Sequence, residues 1–213
     1  RFCSALHWSW TDMQQSRAAS IGRQVGIAVA AGVLNFLLAG LMHLLEVPLY
    51  FDAIGTVLIA VHLGLWPALL TALVTHLLLG ATGLTLFPFV CCSVMTALIA
   101  IGFRSKEWLG SHTGYLLLGI VLALANGIFG SVLSYVLFEG VTMVHSIDRL
   151  VMGIIVTGRS LLTAIFWSGM ITNLMDKLLA VLLVFLVREP TIRLLEATVG
   201  ASKLEQRKPV PDP

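Results

Sequence analysis

Apolar residues come in long, nearly uninterrupted runs, and polar residues are confined to the short stretches between them. Val25 to Leu45 carries no charge over its whole length. At ~1.5 Å per residue it is long enough to cross the ~30 Å hydrocarbon core of a bilayer. Glu46 to Asp52 follows as a polar and aromatic loop, a composition that suits a membrane–water interface. No Asp, Glu, Lys or Arg then occurs from Ala53 to Phe103. That run is too long for one crossing and contains two breaks. One is Gly64-Leu65-Trp66-Pro67, where proline disfavours helix in the residue before it; the other is Gly80-Ala81-Thr82-Gly83 with Pro88 close behind. The pattern predicts helices at about 25–45, 53–65, 68–80, 86–103, 114–138 and 160–187. Residues 139–158 form a long connection whose apolar part, Leu150 to Val156, is too short to span alone.

Charge gives these segments sides. Arg17 and Arg23 precede the first helix, and Arg104 and Lys106 follow the fourth. The positive-inside rule places both clusters in the cytoplasm. Two short spans over 53–80 give four crossings between the clusters and satisfy the rule. One kinked span gives three and puts Arg104 outside. Six spans with both termini cytoplasmic are therefore expected. Outer loops then hold Glu46, Asp52, Glu139 and Asp148, against Arg149 and Arg159. Residues 1–24 form a polar cytoplasmic segment that does not read as a signal peptide. Residues 188–213, with Arg188, Arg193, Lys203, Arg207 and Lys208, form a basic tail expected to be disordered.

Composition agrees: 58% of the 213 residues are apolar and only 11% charged, where soluble domains run near a quarter. A formal net charge of +2 gives no indication of nucleic-acid binding. Cys91 and Cys92 are adjacent in an apolar run and read as small packing residues. There is no Gly-x-x-x-x-Gly-Lys-Ser/Thr loop for ATP and no His-Glu-x-x-His for zinc proteolysis. His62 and His76 have no carboxylate near them in the chain and read as packing histidines. No catalytic residue, metal site or cofactor is expected.

Polar side chains inside a membrane are costly and are candidates for function. The last predicted helix holds Asn173, Asp176 and Lys177. Asn173 and Asp176 share a face, while Lys177 is rotated ~100° from Asp176, which makes the two poor partners. Asp176 and Lys177 are candidates for a structural or coupling role. Ala28, Gly32 and Gly40 on the first helix, with Ala31, Asn35 and Ala39 parallel to them, form small-residue ladders that permit close helix approach.

Phe51-Asp52-Ala53-Ile54-Gly55-Thr56, followed by Leu63-Gly64-Leu65-Trp66-Pro67, resembles the start of the second span in one branch of the S components of energy-coupling factor (ECF) transporters. That branch reads Leu-Asp-Thr-Ile-Gly-Thr and then Leu-Gly-Pro-Trp; here Ala53 replaces the Thr and Trp66-Pro67 inverts the Pro-Trp order. Asn173-Leu174-Met175-Asp176-Lys177 is similar to the branch's last-helix Asp-Lys signature. The resemblance covers roughly residues 25–190. It implies an all-α, six-helix, multi-pass protein of the bacterial cytoplasmic membrane that captures a vitamin or related micronutrient from outside. It also implies a membrane coupling subunit and two ATPase subunits as partners, with Ala28 and Gly32 the best match to the family's docking ladder. The alternative is a membrane sensor of the same fold that binds ligand without transporting it. Depth and sidedness nominate Tyr50, Asp52, Thr85, Phe87, Asn126, Tyr135, Glu139, Arg159, Trp167 and Asn173 as ligand-binding residues.

Overall fold

In hydrocarbon, backbone N–H and C=O groups must be satisfied by the protein itself, which restricts spanning segments to helices or closed barrels. A computed structural model of the chain describes residues 2–84, 87–106 and 108–205, with side chains over 21–84, 87–106 and 108–191. Its elements are α1 (Phe2–Leu44), α2 (Ile54–His62), α3 (Leu65–Ala81), α4 (Val90–Ser105), α5 (His112–Phe138), α6 (His145–Val156) and α7 (Leu161–Glu205). Single 3-10 turns at Phe87–Phe89 and Trp108–Gly110 lead into α4 and α5.

Among the described residues, four stretches are long and apolar enough to cross a membrane: Ile21–Leu44, Phe87–Ser105, His112–Phe138 and Leu161–Thr191. The chain is thus an all-α, multi-span membrane protein. α3, with 17 residues, is ~25 Å long, and α2, with 9, is only ~13 Å long.

The helix ends follow local chemistry. Gly64 takes φ +114° between α2 and α3, a region open to glycine, and Pro67 sits in the first turn of α3, where its missing N–H is harmless. Ser111 caps α5 by accepting from the Gly114 N–H at 3.2 Å. Glu139 closes the other end of α5 in the left-handed conformation, φ +52°. α7 does not stop at Arg188. It continues through Pro190 to Glu205, so the expected disordered tail is helical that far. The residues after Pro190 include Leu194, Leu195, Glu196 and Ala197, all good helix formers. Residues 206–213 lie outside the described residues.

α5 and α7 pack closely against each other. A Cβ on Gly127 would stand 2.7 Å from the Met170 sulfur, and one on Gly169 would collide with Ser131. The apolar core lies towards the end where α2 meets α3, with Val57, Leu118, Leu122 and Val184 fully or almost fully buried.

Ala28 and Gly32, the pair matched to the docking ladder, face the interior of the bundle. Both are buried against α3: a Cβ on Gly32 would lie 2.8 Å from Val74, and Thr71 donates to the Ala28 carbonyl at 3.1 Å. This ladder packs α1 inside the bundle. The face that α1 leaves open carries Val29, Val33, Leu37 and Leu41 instead.

The Asn35 ladder is also internal. Asn35 is fully buried and donates to Thr56 Oγ1 at 3.2 Å and Thr75 Oγ1 at 3.1 Å. Its Oδ1 accepts from the Gly55 N–H at 2.7 Å. One amide thereby ties α1, α2 and α3 together and satisfies a backbone donor in the first turn of α2.

Candidate functional site

The loops before α2, before α4 and around α6 gather at one end of the bundle. Ser146 donates to the Val47 carbonyl at 3.1 Å, and the Phe89 and Phe138 rings lie 5.9 Å apart. Arg149 on α6 pairs with Glu46 at 2.8 Å, and this holds the Glu46 carboxyl below its usual range. Both groups are well exposed, so the pair is screened and modest in strength. Among the described residues, the four non-glycine positions with positive φ, Glu46, Phe51, Glu139 and Met143, all sit in these loops.

From this end the α1–α2 connection descends into the bundle. The Phe51 N–H donates to Asp176 Oδ1 at 2.7 Å, although Asp176 lies 15 residues into α7. That is ~22 Å along the helix. The connection therefore enters the bundle as irregular backbone, and α2 adds only nine helical residues beyond it. Irregular backbone at such depth needs protein or a cavity around it, and Asp176 accepts an N–H that would otherwise have no partner.

Asp176 anchors a charged cluster. Its side chain is fully buried, and its second oxygen accepts from Lys177 Nζ at 2.7 Å. Lys177 also reaches Asp52 Oδ1 at 3.5 Å. The rotation between neighbouring helix positions suggested that Asp176 and Lys177 would not meet. The long lysine stem curls back to its neighbour because the alternative is a bare ammonium in a buried site. His76 on α3 is not a plain packing residue either. Its Nε2 stands 3.8 Å from Asp52 Oδ2, while its Nδ1 lies 3.2 Å from the Ala72 carbonyl.

A cavity of about 30 Å³ opens beside this cluster. Tyr50, Asp52, Asn126, Asn173 and Lys177 line it, together with Phe89, Cys92, Ser93 and Gly130. Two further cavities of about 20 Å³ lie alongside, one towards α1 and one between α5, α6 and α7. Tyr50 borders all three. Asn126 is held by bonds to Thr96 Oγ1 at 3.0 Å and the Leu122 carbonyl at 2.9 Å, and Asn173 by the Gly169 carbonyl at 2.9 Å. Ser134 and Ser168 line the α5–α6–α7 cavity and are buried with no hydrogen-bond partner.

Of the ten nominated ligand residues, four reach the central cavity: Tyr50, Asp52, Asn126 and Asn173. Phe87, Tyr135, Glu139, Arg159 and Trp167 are exposed and line none of these three cavities. Tyr135 and Trp167 lie on outward faces of α5 and α7, and Glu139 serves as a helix terminus. Thr85 lies outside the described residues. Sequence reasoning missed Phe89, Cys92, Ser93 and His76. The α4 residues did leave a signal: Phe89, Cys92, Ser93 and Thr96 recur at helical spacing as one polar-tinged face on an apolar segment.

Fold and interior together define a multi-span helical membrane protein with a charged, hydrogen-bonding cavity, as befits a transport or ligand-binding membrane domain. Comparison with models of protein families, with curated proteins and with solved structures returns no match.

Proposed function

We propose that this chain is the substrate-binding S component of an ECF-type importer, a six-crossing bundle with cytoplasmic termini. In this reading it captures a small-molecule micronutrient from outside and passes it inward when a membrane coupling subunit and two ATPases act on it. The observation that carries the reading is the meeting of Phe51-Asp52 with Asp176-Lys177. These two stretches carry the family resemblance, stand 125 positions apart and share one buried cluster. The α1–α2 connection and α2 together make the second crossing, part loop and part helix. Cavities of 20 to 30 Å³ hold no more than single waters, so ligand binding requires Tyr50 to move and join them. The coupling subunit must be met by a face other than the Ala28–Gly32 ladder.

A second reading, a ligand sensor of the same fold, draws support from α7. That helix runs unbroken from Leu161 to Glu205, ~68 Å, and would carry a displacement out of the bilayer. Native mass spectrometry of the detergent-purified protein tests the shared premise, with a co-purified small molecule as the expected result. Uptake in proteoliposomes separates the readings. The importer reading requires transport that depends on added coupling module and ATP; transport by the chain alone, or none with any energising module, overturns it.

A further inference from the structure

The cluster beside the cavity is one proton donor short. Asp176 is satisfied by the Phe51 N–H and by Lys177, both at 2.7 Å. Asp52 is satisfied on one side only: Oδ1 accepts from Lys177 Nζ at a long 3.5 Å, while Oδ2 faces His76 Nε2 at 3.8 Å. A carbonyl cannot donate, so in the neutral imidazole the contact of His76 Nδ1 with the Ala72 carbonyl puts the single ring proton on Nδ1. Nε2 then presents a lone pair to Asp52 Oδ2, acceptor facing acceptor, and it is buried without a hydrogen-bond partner. Charge points the same way. Two carboxylates face one ammonium, and the N-terminus of α2 adds only about half a positive charge. Among the described residues Lys177 is the one lysine or arginine on the cavity wall, and Asp176 already occupies it. Arg149 and Arg159 are exposed and line none of the three cavities beside Tyr50.

Resting on the capture reading above, we propose that the ligand is a small, flat organic cation bearing N–H groups, a protonated amine, amidine or heteroaromatic base. Its positive end binds Asp52 and supplies the donor that Asp52 Oδ2 and His76 Nε2 lack. Its ring lies between Tyr50 and Phe89, whose faces favour a cation. Its far end reaches the unpartnered hydroxyls of Ser134 and Ser168 once Tyr50 moves aside. An anionic ligand would meet Asp52 with no free cation to oppose it.

Three probes of one shape and different charge test this on the full-length protein in detergent: benzamidinium, benzamide and benzoate. Binding is followed by thermal shift and by native mass spectrometry. Benzamidinium is expected to bind at least tenfold more tightly than benzamide, and benzoate not at all. Asp52→Asn should abolish the preference for the cation. The wild-type comparison stands alone if that variant does not fold. Equal binding of all three probes, tighter benzoate, or no benzamidinium binding overturns the inference. A co-purified neutral or anionic molecule overturns it while leaving the capture reading intact. Absence of any small molecule, with no probe bound, removes both.

Discussion

Lys177→Met removes the ammonium that stands between two carboxylates, Asp52 and Asp176. Lys177 is 4% exposed and Asp176 fully buried, so solvent cannot replace the lost ammonium. Breaking a buried pair from one side costs about 3–5 kcal/mol, because the remaining charge stays behind uncompensated. Asp176→Asn is milder. The amide oxygen still accepts the Phe51 N–H, and Lys177 keeps Asp52, so the loss is that of one charge-assisted bond, about 1.5–3 kcal/mol. Joining the two changes removes one charge of each sign. The double variant should therefore lie above the summed single losses by about 1–3 kcal/mol, the coupling of contacting residues. Reversible unfolding in mixed micelles at pH 7, with all four proteins in parallel, measures each term. Lys177→Met within about 1 kcal/mol of wild type would refute the premise that the pair is buried and mutually dependent. Strict additivity would refute the contact itself.

Gly55→Ala places a Cβ 2.6 Å from the Ala31 carbonyl and 2.9 Å from Asn35 Oδ1, so it should destabilise by about 1–3 kcal/mol in a melting experiment. Gly26→Ala meets nothing within 4 Å and should be neutral or stabilising by up to ~1 kcal/mol. Because Arg149 holds the Glu46 carboxyl below its ordinary value of 4.5, the contribution of that pair is present above 4.5 and disappears as pH falls through the lowered value. Hydrogen exchange in α6 should rise over that interval, and Glu46→Gln should exchange at the faster rate already at neutral pH. A Lys106→Cys variant in a background without the native cysteines should react with impermeant thiol reagents only from the cytoplasmic side; labelling from outside would overturn the crossing count.

The fold class was legible because the bilayer imposes one rule on the whole chain, and long uncharged runs state it directly. Break positions were legible at Gly64 and Gly83, which adopt positive φ where the helices end. What hydropathy cannot register is backbone geometry inside an apolar run. Residues 46–52 read as an interfacial loop because they are polar and aromatic, yet the segment descends to the depth of Asp176, whose carboxylate receives the Phe51 N–H. The two small-residue ladders of α1 announced close approach but not to what; that depends on which face meets α3. Within the site, residues on chain segments that already looked unusual, Tyr50, Asp52, Asn173 and Lys177, converge on one cavity. Those chosen for polarity near a supposed mouth, such as Glu139 and Arg159, do not, because proximity in depth says nothing about rotation around a helix axis.

The brevity of α2 bears on how the protein enters its membrane. Nine helical residues preceded by irregular backbone do not make a segment that partitions into lipid on its own. α1 and α3 have to be in place beside it, since Asn35 of α1 receives the Gly55 N–H and the Thr75 hydroxyl of α3 completes that amide's bonds. Insertion of the first three helices is therefore a joint event, with one buried asparagine as the receptor for the element that arrives last.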